Sequence, residues 1–487
     1  MYNCLAYHIA EISPILKILK KKQIEKFLNI KICVEKESLA SSLQKKFRST
    51  EILLSEEFTK SQSKYNESIY LNKDIINLIN KNLDNILHIF SRYFIVNKFI
   101  SYGQIKQHIY SLTCQSLNLI KKNNVDLIIF YQTPHHIDSY ITYLISKLMN
   151  IKTIIIKQFS FFDEHRLCID KNLDIFFSDL NNVVSYDKRS LLKTKNYLER
   201  FSSEKIQNAP YIKDLYIKNI KFLNKNNILY YLYLDIRNHL FGSNKYLNGF
   251  YYWYEHDYFS RNKPISNIKF IIKNFLLRLK ILKLKKHYNK ITENKFTGKF
   301  VVFFPNYQPE ASTMPEADIY ADIYLILNNL FSKLPKDFKV IYKEHKTTFD
   351  YSRESFVLKN PIFYNYLKKR FKNLIFYDYD SDKNNLIKNS QFVITMTSNV
   401  AWEALLQKKK VVIAKGVWFD RFNGFIKIDE LDKKINYLLS SDDPNDEYVG
   451  QFIEYCSNIE TNSFSKFNFL SEDEKKIEKL FLNKLNS

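Results

Sequence analysis

A chain of 487 residues with 45% hydrophobic and 26% charged residues is long enough for two or three packed domains and too apolar to be a disordered polyelectrolyte. Its 7 glycines exclude Gly-rich phosphate loops and glycine-turn repeats. The formal net charge of +23 suggests an anionic partner. However, abundant Lys, Asn, Ile, Tyr and Phe beside scarce Gly and Pro is also what an AT-rich coding sequence yields, so only local clustering of charge counts.

The N-terminus, Met1 to Lys22, has none of the three regions of a signal peptide, and no run reaches ~18 apolar residues. The expectation is a cytoplasmic protein able to sit peripherally on the cytoplasmic membrane face. The 5 cysteines are scattered without CxxC or Cys/His spacing, so neither a disulfide framework nor a zinc site is expected. Residues 1–202 read as an N-terminal α/β domain. A strand candidate at Ile30 to Val34 is followed by a polar stretch from Ser49 to Asn72. Helical periodicity then runs from Lys73 to Phe94 and from Ile105 to Ile120. Asp126 to Tyr131, Ile137 to Leu148 and Ile151 to Ile156 spell strand, helix, strand: a βαβ unit with a right-handed connection. Its first turn is polar (Gln132, Thr133, Pro134, His135, His136), and Asp138 stands in the first helical turn, where the dipole favours a carboxylate. His136 oriented by Asp138 could serve as a general base; the same residue types also serve as plain turns and caps. A polar cluster, Asp163 to Arg166, follows the next strand and could line the same mouth.

Residues 203–298 change character. The run YYWYEHDYF at 251–259 is aromatic, and Ile265 to Lys290 reads as one helix carrying Lys269, Lys273, Arg278, Lys280, Lys283, Lys285 and Lys286. A basic amphipathic helix suits an anionic membrane face. The pattern equally fits a helix packed on the body with its lysines in water.

A second α/β domain, residues 299–428, alternates strands (Phe300 to Phe304, Lys339 to Tyr342, Leu374 to Tyr377, Phe392 to Thr395, Lys410 to Ala414) with helices, as in a doubly wound parallel sheet. Residues 429–487 are expected to be C-terminal helices. Open α/β sheets bind ligands beyond the carboxyl ends of their strands, and three such ends carry ligand-type residues. After the first strand come Gln308, Glu310, Ser312 and Thr313. After the second come Lys343, Glu344, His345 and Lys346. Around the end of the fourth come Thr395, Thr397 and Ser398, with Glu403 a turn into the next helix. Hydroxyls and free N–H groups at a helix start suit a phosphate, although Ser398 would also cap that helix unaided. The pattern Asp378, Asp380, Asp382 could accept a hard cation, but Asp is equally a favoured cap before the helix near Lys383; no metal is assigned.

The segments FFPNYQPEAST, KVIYKEHK and FVITMTSNVAWEALLQKKKVVIAKG, spanning about Val301 to Gly416, resemble the bacterial capsular and surface polysaccharide biosynthesis proteins. These are glycosyltransferases of the GT-B fold, which implies two Rossmann-like parallel-sheet domains, here with a helical basic insertion between them. The resemblance implies a nucleotide-sugar donor held by the C-terminal domain and an acceptor, a glycan or lipid-linked primer, held by the N-terminal one. Several members, and the similar bacterial sialyltransferases, use CMP-activated acidic sugars. It places His345, Thr397 and Ser398 on the donor phosphate and matches Glu403 to the helix carboxylate. Lys346 stands where that family has proline. The donor set is then Gln308, Ser312, Lys343, Glu344, His345, Lys346, Thr395, Thr397, Ser398 and Glu403. Catalytic candidates are His136, Asp138 and Glu310, with no cofactor besides the donor. A CDP-polyol phosphotransferase on the same fold, and a basic nucleic-acid- or membrane-binding protein without catalysis, are the competing readings; no nucleic-acid module is recognisable.

Overall fold

The computed structural model describes residues 1–7, 28–34, 51–54, 67–91, 101–162, 164–173, 175–177, 228–241, 267–351, 353, 355–444, 446–465 and 471–486, and singly Leu19, Lys21, Ile24, Leu192, Thr194 and Asn196. The chain divides into two units: Met1–Ile89 with Phe99–Pro210 and Ile453–Ser487, and Phe90–Lys98 with Tyr211–Phe452. The aromatic run at 251–259 lies outside the described residues.

In the first unit, strands β1 (Tyr2–Tyr7), β2 (Leu28–Val34), β3 (Glu51–Leu54), β4 (Leu127–Phe130), β5 (Lys152–Phe161) and β6 (Glu164–Asp170) pair in the order β6-β5-β4-β1-β2-β3, parallel except for β5 with β6. The helical pattern from Lys73 to Phe94 resolves into α1 (Lys73–Lys81) and α2 (Leu83–Ser91), broken at Asn82. Helix α3 (Tyr102–Lys122) opens on a capping box, Ser101 with Gln104. Helix α4 (Ile137–Leu148) completes the βαβ unit with the bounds read from the sequence. One expectation is corrected. The cluster from Glu164 to Arg166 is no loop lining a mouth but the first half of a strand folded back on β5. Arg166 is buried there, its Nε–H donating to Ser463 Oγ at 2.7 Å and Nη2 to the Glu460 and Ser463 carbonyls, each at 3.0 Å. Strand β5 is longer than the apolar run, because Gln158 and Ser160 occupy its more exposed positions in the two-residue alternation.

The second unit opens with α5 (Ile228–Phe241) and α6 (Asn267–Ile291). Six parallel strands follow: β7 (Phe300–Phe304), β8 (Lys339–Lys343), β9 (Leu374–Tyr377), β10 (Val393–Thr395), β11 (Val411–Ile413) and β12 (Phe425–Lys427), in the order β12-β11-β10-β7-β8-β9. The apolar strand runs are buried because helices cover both faces. Those helices are α7 (Ile323–Lys333), α8 (Pro361–Arg370), α9 (Lys383–Asn389), α10 (Val400–Leu406) and α11 (Leu431–Leu439). Their starts are written in the sequence as Asp322, Asn360 before Pro361, and Asp382, each accepting a first-turn N–H. The fold class is therefore α/β with two Rossmann-like, parallel-dominated sheets. Within α12 (Asp446–Thr461), at Ile453, the chain re-enters the first unit, where β13 (Phe464–Ser465) adds antiparallel to β6. Helix α13 (Ser471–Asn486) packs its Ile477, Phe481 and Leu485 into the core under β1, β4 and β5. The expected C-terminal helices of 429–487 thus include one short strand, β13, between α12 and α13.

The basic helix α6 packs the stripe Asn274, Leu277, Arg278, Ile281, Leu284 and Tyr288 onto the second unit. Arg278 is wholly buried, ion-paired to the equally buried Asp235 of α5, donating from Nε to the Tyr351 carbonyl at 3.3 Å and stacking over the Tyr231 ring. No helix among the described residues is long and apolar enough to cross a membrane.

Candidate functional site

The site is assembled at the carboxyl ends of β7, β8 and β10, which the strand order makes neighbours. From β7 the chain enters the loop that holds Asn306, Tyr307, Gln308 and Glu310. Asn306 reaches across to the β10 turn and makes a reciprocal pair with Thr397. Its Nδ2 donates to Thr397 Oγ1 at 2.8 Å, and its Oδ1 accepts the Thr397 N–H at 3.0 Å. From β8 the chain runs through Glu344 to His345. Glu344 is buried and its carboxylate collects five donors. Oε1 accepts from Lys359 Nζ (2.8 Å), Thr348 Oγ1 (3.0 Å) and the His345 N–H (2.8 Å). Oε2 accepts from the Tyr342 and Tyr364 hydroxyls at 2.9 and 2.7 Å. These donors, led by Lys359, outweigh the burial and hold the Glu344 carboxyl below its ordinary range. The three tyrosines around it, Tyr288, Tyr342 and Tyr364, are pushed well above 10 by burial and by that carboxylate, so all stay neutral.

His345 caps the short turn Lys346–Phe349. The Thr347 N–H donates to its Nδ1 at 3.2 Å, which leaves the ring proton on Nε2. Burial lowers its pKa to about 4; Glu344 opposes this and the surrounding lysines assist. At neutral pH His345 is therefore an uncharged Nε2–H donor, and the Tyr307 ring stands 6.4 Å from it. Lys343 is the cation beside it. Burial brings it to about 8, and its Nζ donates to the Tyr379 carbonyl at 2.6 Å.

The other sequence-chosen residues take up quieter positions. Thr395 Oγ1 donates to the Phe304 carbonyl at 2.7 Å, tying β10 to β7, and Gln308 Nε2 donates to the Ala321 carbonyl at 2.7 Å, pinning its loop. Ser398 does not cap α10: the N-cap is Asn399, whose side chain makes no cap bond, and Ser398 Oγ, one residue earlier, accepts the Val400 N–H at 3.3 Å. Glu403 is ion-paired with Lys383. Glu310 is exposed and accepts from Ser312 Oγ at 3.2 Å. Lys346 pairs with Asp380 at 2.6 Å. Asp378 Oδ1 accepts the Asp380 N–H at 2.9 Å and Asp382 caps α9, so the three alternate aspartates are engaged in an Asx turn, an ion pair and a cap. Gly416 closes the site from β11. Its φ is +80°, and a Cβ there would lie 2.0 Å from the Glu316 carbonyl oxygen, so glycine is what lets this turn meet the β7 loop.

In the first unit, His136 and Asp138 do share one strand end. Asp138 is buried, its Oδ2 accepting from the Tyr7 hydroxyl of β1 at 3.2 Å, and the His136 ring packs against that of His135 with centroids 4.4 Å apart and planes tilted by 46°. His108 of α3 lies close enough for Asp138 to act on it; burial lowers it to about 4 against that carboxylate. Sequence reasoning missed Asn306, Lys359, Tyr7 and His108. Asn306 and Tyr7 had one available signal, a polar residue at the end of a buried strand. A cavity of about 610 Å³ beside Phe296, Phe300, Lys339 and Asn389 opens by the amino ends of β7 and β8, away from this site.

No protein-family model matches the chain, and no curated protein matches it. Among solved structures, UDP-GlcNAc 2-epimerase from Methanocaldococcus jannaschii is similar at 12% identity and a TM-score of 0.25, over 99% of this chain and 100% of that one. The beta Kdo 2,7 transferase KpsC from Thermosulfurimonas dismutans is similar at 11% and 0.27, over 82% and 96%. MurG from Acinetobacter baumannii is similar at 8% and 0.21, over 99% of each chain. Likenesses this distant assign no chemistry to this chain.

Proposed function

We propose that this protein is a glycosyltransferase of surface polysaccharide synthesis that takes a sugar from a nucleotide donor, an acidic sugar on CMP, and passes it to a glycan or lipid-linked acceptor. The supporting observation is that three loops far apart in sequence meet at one sheet edge, through Asn306 with Thr397 and through Lys359 with Glu344. That edge presents an uncharged imidazole N–H, a hydroxyl turn and a lysine. In this reading His345 Nε2–H and Lys343 hold the donor phosphate, and charge developing on the departing nucleotide meets donors already in place. Glu403 faces the nucleoside. Glu344 serves from behind by fixing the His345 backbone. His136 and Asp138 take the acceptor proton, with Glu310 the second candidate for that role. In this reading the charge is met by the Lys343 ammonium and the hydrogen bond comes from the neutral His345, with no resident metal invoked. The protein would work at the cytoplasmic face of the membrane. Ile272, Leu276 and Leu279 of α6 are 53%, 52% and 38% exposed, on the same side as Lys283, Lys286 and Lys290, and an anionic bilayer suits such a face.

The test is thermal unfolding with CMP, CDP, UDP and GDP in turn, since a ligand of the native state raises the melting temperature. CMP should protect, and a CMP-sugar should then be consumed with release of CMP. Protection by none of the four ends the proposal. A phosphate left on the acceptor identifies a CDP-polyol phosphotransferase instead. Salt-sensitive nucleic-acid binding without nucleotide protection identifies a non-catalytic basic protein.

A further inference from the structure

Lys359 is the least expected residue of this region. It precedes α8, is fully buried, and burial lowers its pKa although Glu344 pulls the other way. A lysine is among the costliest side chains to bury, and is seldom kept inside unless its charge is matched. Its ammonium has two identified acceptors on two different loops: the Asn306 carbonyl at 2.9 Å and Glu344 Oε1 at 2.8 Å. Asn306 grips Thr397 by both ends of its amide, and Glu344 Oε1 accepts the backbone N–H of His345. The ammonium is thus the middle link of a chain running His345, Glu344, Lys359, Asn306, Thr397. Both of its bonds run to β-strand exits, not to its own helix, and nothing else among the described residues joins Glu344 to Asn306 directly. A buried apolar residue would fill the same space at no electrostatic cost, but could not fix the separation of two loops.

We propose that Lys359 is the positioning residue of the phosphate site: by bonding the Asn306 carbonyl and the Glu344 carboxylate together, it sets the spacing of the Thr397 and His345 loops and holds the His345 ring with Nε2–H as its outward donor. This deepens the function proposed above and rests on it for the identity of the ligand, whereas the state of the His345 ring can be read without any ligand. The geometry makes one further demand. With Glu344 Oε1 released from Lys359, the His345 and Thr348 bonds to that oxygen lose their anchor, and so does the turn whose Thr347 N–H fixes the tautomer.

The experiment compares wild type, Lys359→Met and Lys359→Arg, each labelled with ¹⁵N-histidine and with His345 assigned by its loss in His345→Gln. Two readouts are taken: the ring nitrogen shifts of His345, which report the tautomer, and the Kd for CMP. In wild type His345 should be one tautomer, Nε2–H. In Lys359→Met the two ring nitrogens should move toward averaged shifts and CMP affinity should fall at least tenfold, with partial recovery of both in Lys359→Arg. A folded Lys359→Met with wild-type ring shifts and wild-type CMP affinity overturns the inference. Should Lys359→Met not fold, the Lys359→Met, Glu344→Gln pair removes both buried charges together and carries the same readouts. Wild type that binds no CMP, yet shows a tautomer shift in Lys359→Met, ends the proposed ligand while leaving the positioning role in place.

Discussion

Arg278→Met is the substitution that best separates a packed α6 from a helix held in solvent. The guanidinium is wholly buried between α5 and the turn after His345, with Asp235, the Tyr351 carbonyl and the Tyr231 ring as its contacts. Methionine fills most of the volume but leaves the Asp235 carboxylate buried without its cation, at a cost of about 3–5 kcal/mol. Losing the bond to the Tyr351 carbonyl adds about 1 kcal/mol. For a unit of this size each kcal/mol moves the midpoint by about 2–4 °C, so the transition of the second unit should fall by roughly 10 °C or more. Differential scanning calorimetry reads this directly. Asp235→Leu combined with Arg278→Met removes both charges and should recover most of the loss. A single variant melting within a degree or two of wild type would show that α6 does not pack on this unit through Arg278, and that its apolar stripe is available for something else.

Three further outcomes can be checked. His345 titrates near 6.5 when unfolded and at about 4 when folded, so the unfolded state binds the extra proton between these values. Its contribution is complete above pH 6.5 and is lost as pH falls toward 4, a decline of roughly 3 kcal/mol. Urea denaturation at several pH values should therefore show a shallower acid decline in His345→Gln, with His108 accounting for part of what persists; an unchanged slope contradicts the depressed pKa. Gly416→Ala puts a methyl against the Glu316 carbonyl in a left-handed conformation and should cost roughly 3 kcal/mol or more; a wild-type melting temperature would mean the two turns do not approach. Asn306→Ala removes both bonds to Thr397 and should weaken CMP protection at least tenfold while shifting the melting midpoint only a few degrees; protection equal to wild type would place the nucleotide elsewhere.

Five of the six strands of the second sheet were legible in the sequence to within a residue or two, because each is a short apolar run followed by a polar turn; the three-residue β12 was not. Phe300 to Phe304 and Ile137 to Leu148 have the bounds their patterns give. The three strand-end clusters were visible for the same reason. Which side chains in them face outward was not, because residue type is silent about direction. Glu344 and His345 are adjacent and both titratable, yet one is anchored in a buried knot of donors while the other is half-buried with its Nδ1 held by the Thr347 N–H. Lys359 lies outside every motif, and only the packing of α8 against β8 brings its ammonium between two loops. Helix α6 shows the same limit: its spacing fixed an apolar stripe but not what that stripe would cover. Local periodicity determines elements and their ends, since it depends on neighbours three or four residues away. The buried partners of Arg278, Glu344 and Lys359 were chosen by tertiary structure alone, since a charge can be taken from water only where distant segments supply its counter-ion and hydrogen bonds.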